Sequence, residues 1–315
     1  MKNNTSSLTA PLFATIVFLL IGISKRLIKF IAVSSPDNTV LYAAILELFV
    51  FAIPAAFFLK AKGVNFFEHS KVKTFSFSEL PFVLTGIATF LFGSLIILFL
   101  QRIFFEFNNE ANVMLDAAQV SIMGVLLYYV IVPALCEELF FRSILISEYS
   151  SYGGPVAVTI SALFFAMLHF SFTEFPFYFF TGAVLGLITY VTGSSIPAII
   201  IHILNNTVTV FFGEALSSFL MESASSIILV FLLVVLFLGS LVLFLSAMEE
   251  LYERRGIMYD NGILPGKRKE LLLGSAKAGI IEKKSKALQT KSNAFLSPTL
   301  FLAIVIFILI TLNVI

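Results

Sequence analysis

The chain predicts an all-α polytopic membrane bundle of about 8–9 transmembrane helices enclosing an intramembrane cavity. Three observations carry this. The composition is 59% hydrophobic, above the roughly 45–50% of a soluble domain. Charged residues make up only 12%, and the mean hydropathy is +1.00. Apolar runs of about 20 residues, enough to cross a bilayer, recur along most of the length. The net charge of +1 comes from few, clustered charges and gives no support for nucleic-acid binding. Cys136 is the single cysteine, which excludes an internal disulfide and a thiolate-rich zinc site. Flanked by apolar residues, it reads as an inert small hydrophobe.

The first run, about Leu8 to Ile23, follows Lys2 and lacks a small-residue cleavage site, so it reads as a retained anchor. Lys25, Arg26 and Lys29 follow, then a Ser-Ser-Pro-Asp-Asn break at 34–38. The second span, about Val40 to Leu59, carries Glu47, which reads as a structural residue in preference to a cavity-lining one. A polar loop runs from Lys60 to Glu79, and His69 within it needs no explanation. The third span covers about Leu80 to Leu100. Residues 101–119, with Glu106, Glu110 and Asp116, form an acidic connector.

The fourth helix is expected from about Val120 to Glu148. Tyr-Ser-Ser-Tyr-Gly-Gly-Pro at 149–155 is a turn signal. The fifth span, about Val156 to Phe170, ends near His169. The sixth runs from about Phe175 to Val191 and stops at Thr-Gly-Ser-Ser, 192–195. The seventh begins at Ile196-Pro197, proline being tolerated in a first turn, and carries His202 and Asn206. The eighth is about Ile227 to Leu245 and the ninth about Leu296 to Val314. The segment from Met248 to Asn293 holds half of the 20 Lys and Arg residues, which places it in the cytoplasm by the positive-inside rule. It reads as a solvated connector. Counting back puts the 60–79 loop inside and the acidic connector outside. Lys25, Arg26 and Lys29 break that pattern, so the first helix tilts or lies in the interface, or the span count shifts there. Four sections follow: N-terminal transmembrane helices (1–119), a membrane core carrying the chemistry (120–247), a basic cytoplasmic loop (248–295) and a C-terminal transmembrane helix (296–315).

Ionisable residues inside such spans are costly, roughly 2.5–3.5 kcal/mol for Asp or Arg at a helix centre, and mark functional sites by default. The stretch Pro133-Ala-Leu-Cys-Glu137-Glu138-Leu-Phe-Phe-Arg142 concentrates them. Glu138 and Arg142 stand at i and i+4 and can pair on one face. Glu137, rotated by about 100°, aims elsewhere. Pro133 bends the helix and frees a carbonyl. His202 and Asn206 also stand at i and i+4, as two donors for a developing oxyanion or as a metal ligand with its positioning amide. Asn205 is expected to point away. At 1.5 Å per residue, Glu137, His169 and His202 lie roughly 18, 22 and 12 Å from one membrane end. Three helices thus bring polar groups to a similar level. A lone His or Asn in a membrane helix is ordinarily interhelical glue, and most of the 37 Phe residues are packing. Two of the three histidines joining an adjacent Glu pair is a different matter.

At these residues the chain resembles the CAAX prenyl protease type II and bacteriocin-processing family of intramembrane endopeptidases. The pattern Glu-Glu-x-x-x-Arg is met by Glu137, Glu138 and Arg142. Phe-x-x-x-His is met by Phe165 and His169, and His-x-x-x-Asn by His202 and Asn206. The likeness covers about Val120 to Phe212. It implies a helical bundle around a cavity open to the cytoplasmic side, acting on a membrane-associated peptide or protein substrate among membrane lipids. It further implies that Glu137 and His169 activate water, that Glu138 orients His169 with help from Arg142, and that His202 and Asn206 form the oxyanion hole. No His-Glu-x-x-His run is present, yet Glu137, His169 and His202 could together hold one divalent metal such as zinc. The rival reading is a non-catalytic membrane protein of the same fold: a bacteriocin immunity, scaffold or transport component. Heavy Phe, Ile, Lys and Asn usage without Trp suggests an AT-rich prokaryotic genome, hence the plasma membrane.

Overall fold

With no water in a hydrocarbon layer to bond backbone groups, a chain this apolar must satisfy them internally, and the helix does so within one segment. The computed structural model describes residues 6–30, 36–65, 71–104, 121–222, 227–254 and 297–312, and the regular elements among them are all helical. In chain order they are α1 (Ser6–Phe30), α2 (Pro36–Lys62), α3 (Leu80–Phe104), α4 (Ile122–Tyr149), α5 (Gly154–Met167), α6 (Phe175–Thr192), α7 (Ile196–Glu222), α8 (Ile227–Arg254) and α9 (Pro298–Thr311). Six of them contain stretches long and apolar enough to cross a membrane; α1, α5 and α9 contribute shorter apolar stretches. Most of the expected basic loop and acidic connector, from Lys267 to Lys291 and from Glu106 to Asp116, lies outside the described residues. α8 continues to Arg254, past its expected end at Leu245.

α4 is not a uniform helix. Widened π-helical turns at Leu126–Ile131 and Leu139–Leu145 flank an α-helical segment, Val132–Glu138, that ends on the glutamate pair. Pro133 has no N–H to give, and its ring collides with the carbonyl four residues back in a regular helix. Widening the preceding turn relieves that collision, and the Val132 N–H donates to the Leu127 carbonyl five residues back. In the second widened turn the Ile146 N–H donates to the Phe141 carbonyl. That carbonyl also accepts the Ser161 hydroxyl of α5 at 3.0 Å. The bend expected at Pro133 is therefore a change of helical winding.

The helices gather into two packs. One buries Phe13 and Phe18 of α1, Phe51 of α2, Phe140 and Phe141 of α4, Phe164 of α5 and Phe307 of α9. The other buries Phe82 and Phe90 of α3, Leu185 and Ile188 of α6, Ile201 of α7 and Phe244 of α8. α4, α5, α6 and α7 meet where the packs adjoin. Positive-φ glycines make the tight turns there: Gly153 (φ 99°) ahead of α5 and Gly193 (φ 68°) at the end of α6. At that end of the bundle the Ser195 N–H donates to the Lys71 carbonyl at 2.8 Å. The Ser194 hydroxyl bonds the Lys73 carbonyl, Ser143 reaches Ser195 at 3.2 Å, and Lys62 pairs with Glu148. Burial, with the Lys73 charge second, holds the Lys71 ammonium below the usual lysine range.

Close helix contact is testable at Gly93 of α3, where an added Cβ would lie 2.2 Å from the Phe180 ring and 2.9 Å from Phe237. Overpacking costs about 1–3 kcal/mol, offset by about 1 kcal/mol of helix propensity. Gly93→Ala should lower the unfolding temperature in detergent. Gly239→Ala, with nothing within 4 Å of its Cβ, should leave it unchanged or raise it.

Candidate active site

The site begins with a charge pair. Glu138 and Arg142 are wholly buried, and Arg142 Nε lies 2.9 Å from Glu138 Oε2, the i to i+4 pairing read from the sequence. Two opposite charges removed from water must neutralise each other. The guanidinium lies 4.3 Å from the centre of the Phe165 ring, and this aromatic face supplies cation–π attraction where Nη1 and Nη2 have no hydrogen-bond partner among the described residues. The other carboxylate oxygen, Glu138 Oε1, is 2.9 Å from Nδ1 of His202 on α7. An ionised carboxylate only accepts, so Nδ1 is the donor in this contact and Nε2 is the ring nitrogen left for the cavity. Nε2 faces Glu137 Oε2 at 3.8 Å. Glu138 thus bonds Arg142 and His202, where His169 was the expected partner: Arg142 turns the carboxylate toward α7, and His202 takes the oxygen left over.

His169 is not on a helix. α5 ends at Met167, and His169 sits in the turn that follows. The next residue, Phe170, has φ 52°, the left-handed region that a bulky side chain rarely enters. The His169 ring stacks flat on Tyr178 of α6, with centroids 3.2 Å apart and planes 2° apart. Phe165 stands edge-on to both histidines, 5.5 Å from His169 and 5.8 Å from His202. Gly182 makes space for that ring, since a Cβ there would be 3.0 Å from Phe165 Cδ1. Phe165 therefore spaces both imidazoles and the guanidinium.

A cavity of about 200 Å³ opens against these groups. Glu137, His169, His202 and Asn206 share its wall. Asn205, expected to point away, lines it as well, together with Thr209. The reason is helical: 202, 205, 206 and 209 follow the i, i+3, i+4, i+7 stripe of one face. Tyr129 and Tyr178 also line it. The sequence signal for both was weak, a phenol hydroxyl kept amid 37 phenylalanines. A second cavity of about 70 Å³ lies against Glu137 and His169, and Glu47 lines it. Glu47 is accordingly a cavity residue, contrary to expectation. No group of three His, Cys, Asp or Glu side chains among the described residues is placed to hold a metal ion. Glu137, His169 and His202 share a wall of the larger cavity but form no such group.

Residues 119–208 match the family model described as Rce1-like, type II CAAX prenyl endopeptidase Rce1-like. No curated protein and no solved structure matches the chain. The matched segment holds α4, α5, α6 and the start of α7, and with them Glu137, Glu138, Arg142, Phe165, His169, His202 and Asn206. The segment is similar to that family, and it sits in a chain with six helices long and apolar enough, among the described residues, to cross a membrane.

Removing one member of a buried pair leaves an uncompensated charge, at about 3–5 kcal/mol. Arg142→Met should destabilise by that amount in denaturant unfolding. The double variant Glu138→Gln with Arg142→Met should recover most of it. A single variant as stable as the parent would mean that the pair carries no such constraint.

Proposed function

We propose that the protein is an intramembrane endopeptidase that hydrolyses a peptide bond in a membrane-associated peptide or protein. The observation that carries this reading is the gathering of Glu137, His169, His202 and Asn206 on one cavity wall inside an Rce1-like domain. The surroundings suit an apolar chain: Phe90, Phe177, Leu185 and Val210 line the same cavity.

In this reading the scissile carbonyl lies in the larger cavity, and Glu137, with His169, takes a proton from the attacking water. The water oxygen bonds to the carbonyl carbon, and negative charge develops on the carbonyl oxygen. The Asn206 amide N–H donates to that oxyanion. His202 can donate to it only when its ring holds a second proton, because Nδ1–H is already directed at Glu138. Collapse of the intermediate passes the proton held by Glu137 to the leaving nitrogen, giving a free amine and a new carboxyl group. Arg142 and Glu138 touch no substrate; they fix the orientation of His202. With no three-ligand set among the described residues, no step is assigned to a metal.

The test is cleavage of a quenched fluorogenic peptide with an apolar anchor by the full chain in liposomes. Glu137→Gln should cut kcat by about 10²-fold or more while the unfolding temperature stays put. His202→Ala should cost about 10²–10³-fold, as loss of an oxyanion donor does. A strong chelator should leave the parent rate intact. Full activity in Glu137→Gln would overturn the assignment. A parent protein inert toward peptides of varied sequence and anchor would favour the non-catalytic reading.

A further inference from the structure

A peptide filling the larger cavity displaces its water, yet hydrolysis consumes one water molecule per bond. The second cavity meets that need. At about 70 Å³ it has room for ordered water, which needs about 10–15 Å³ of such space. The larger cavity, at about 200 Å³, is the roomier of the two for a peptide. Its polar lining comes from Ser24 of α1, Glu47 of α2, Tyr128 of α4, and Glu137 and His169. A buried water needs two to four polar partners, and these five side chains provide them. Glu137 and His169 line both cavities, so they form the partition between the larger space and the smaller one. α1 and α2 lie outside the Rce1-like segment.

From this arrangement we infer that the smaller cavity is the water and proton chamber of the site, with Glu47 as its proton-accepting wall. The inference rests on the endopeptidase reading. Water enters the partition from the chamber side and gives its proton to Glu137, and its oxygen bonds to the carbonyl carbon. One hydrogen of that water ends on the new amine. The remaining hydroxyl completes the new carboxyl group, which ionises near neutral pH. Its proton is carried by chamber water to the Glu47 carboxylate and passes on to the new amine, which leaves as an ammonium, so that Glu47 and Glu137 are both ionised for the next turnover. Nothing else is consumed. Glu47 acts through water and through Glu137, so it is a positioning and relay residue.

Two measurements test this, one of them independent of activity. In a Cys136→Ala background, Ser24→Cys places a thiol on the chamber, and Thr15→Cys places one on the same helix, buried and away from it. Silver ion, about the size of water, should protect Ser24→Cys from maleimide labelling after unfolding and leave Thr15→Cys unprotected. Equal protection would mean that the chamber is dry, and the inference falls. In the peptide assay, Glu47→Gln should lower kcat about tenfold or more with KM little changed, and Glu47→Asp should restore part of the loss. A structural glutamate would tolerate the isosteric Gln, so parent kcat in Glu47→Gln overturns the relay while leaving the endopeptidase reading intact. A parent protein without peptidase activity overturns both, whatever the silver result shows about hydration.

Discussion

The ion pair between Glu138 and Arg142 is the constraint from which the rest of the site follows. Both side chains are wholly buried, where an isolated charge is several kcal/mol less stable than in water. Pairing along one helix solves that locally but leaves one carboxylate oxygen over. His202 supplies the missing donor from α7. The pair therefore ties α4 to α7 and, through the aromatic face that Arg142 covers, to α5. Neutralising a charge has become a means of joining three helices at one depth.

That junction governs where the cavities can be. The two helix packs are each filled by Phe, Leu and Ile side chains, and close packing of that kind leaves few voids wider than a water. Space persists where the packs adjoin, because the polar groups held there resist being packed over. α4 reaches the junction with its winding changed on either side of the glutamates. The two widened turns absorb the proline and let neighbouring hydroxyls bond the loosened backbone, as Ser161 does at Phe141. A uniform helix would present Glu137 and Glu138 at angles set by sequence spacing alone.

Much of this was legible beforehand. The i to i+4 pairing of Glu138 with Arg142, and the shared face of His202 and Asn206, follow from helical period, and depth counted along three helices brings His169 and the glutamates together. What escaped was relational. Asn205 stands about 100° from its neighbour Asn206, yet it lies three residues on from His202 and so falls on the same helical stripe. The resemblance directs Glu138 to His169, and nothing in the sequence itself says which histidine a second oxygen will meet. Glu47 lies in a helix far from the motif in sequence, with no spacing rule to link it to Glu137. Helix ends were also hidden: His169 sits beyond α5 because the chain must turn back within a short stretch to begin α6.

That turn explains why the two histidines are not interchangeable. His202 is held at Nδ1 by a buried carboxylate, which fixes the ring's orientation and leaves Nε2 for the cavity. Such a ring suits a fixed electrostatic task. His169 is held by its face, flat against Tyr178, a contact that sets the ring plane. It lines both cavities. Keeping it there costs a left-handed Phe170, about 1–2 kcal/mol for a residue with a Cβ. The compensation comes from α1. Phe18 packs against the Phe170 ring with centroids 4.7 Å apart. Gly22 leaves that ring its space, since a Cβ there would lie 3.3 Å from Phe170 Cζ. Ser24, two residues on, lines the smaller cavity. The first helix, which reads from the sequence as a simple anchor, thus supports the strained turn behind His169 and closes the polar space beside it.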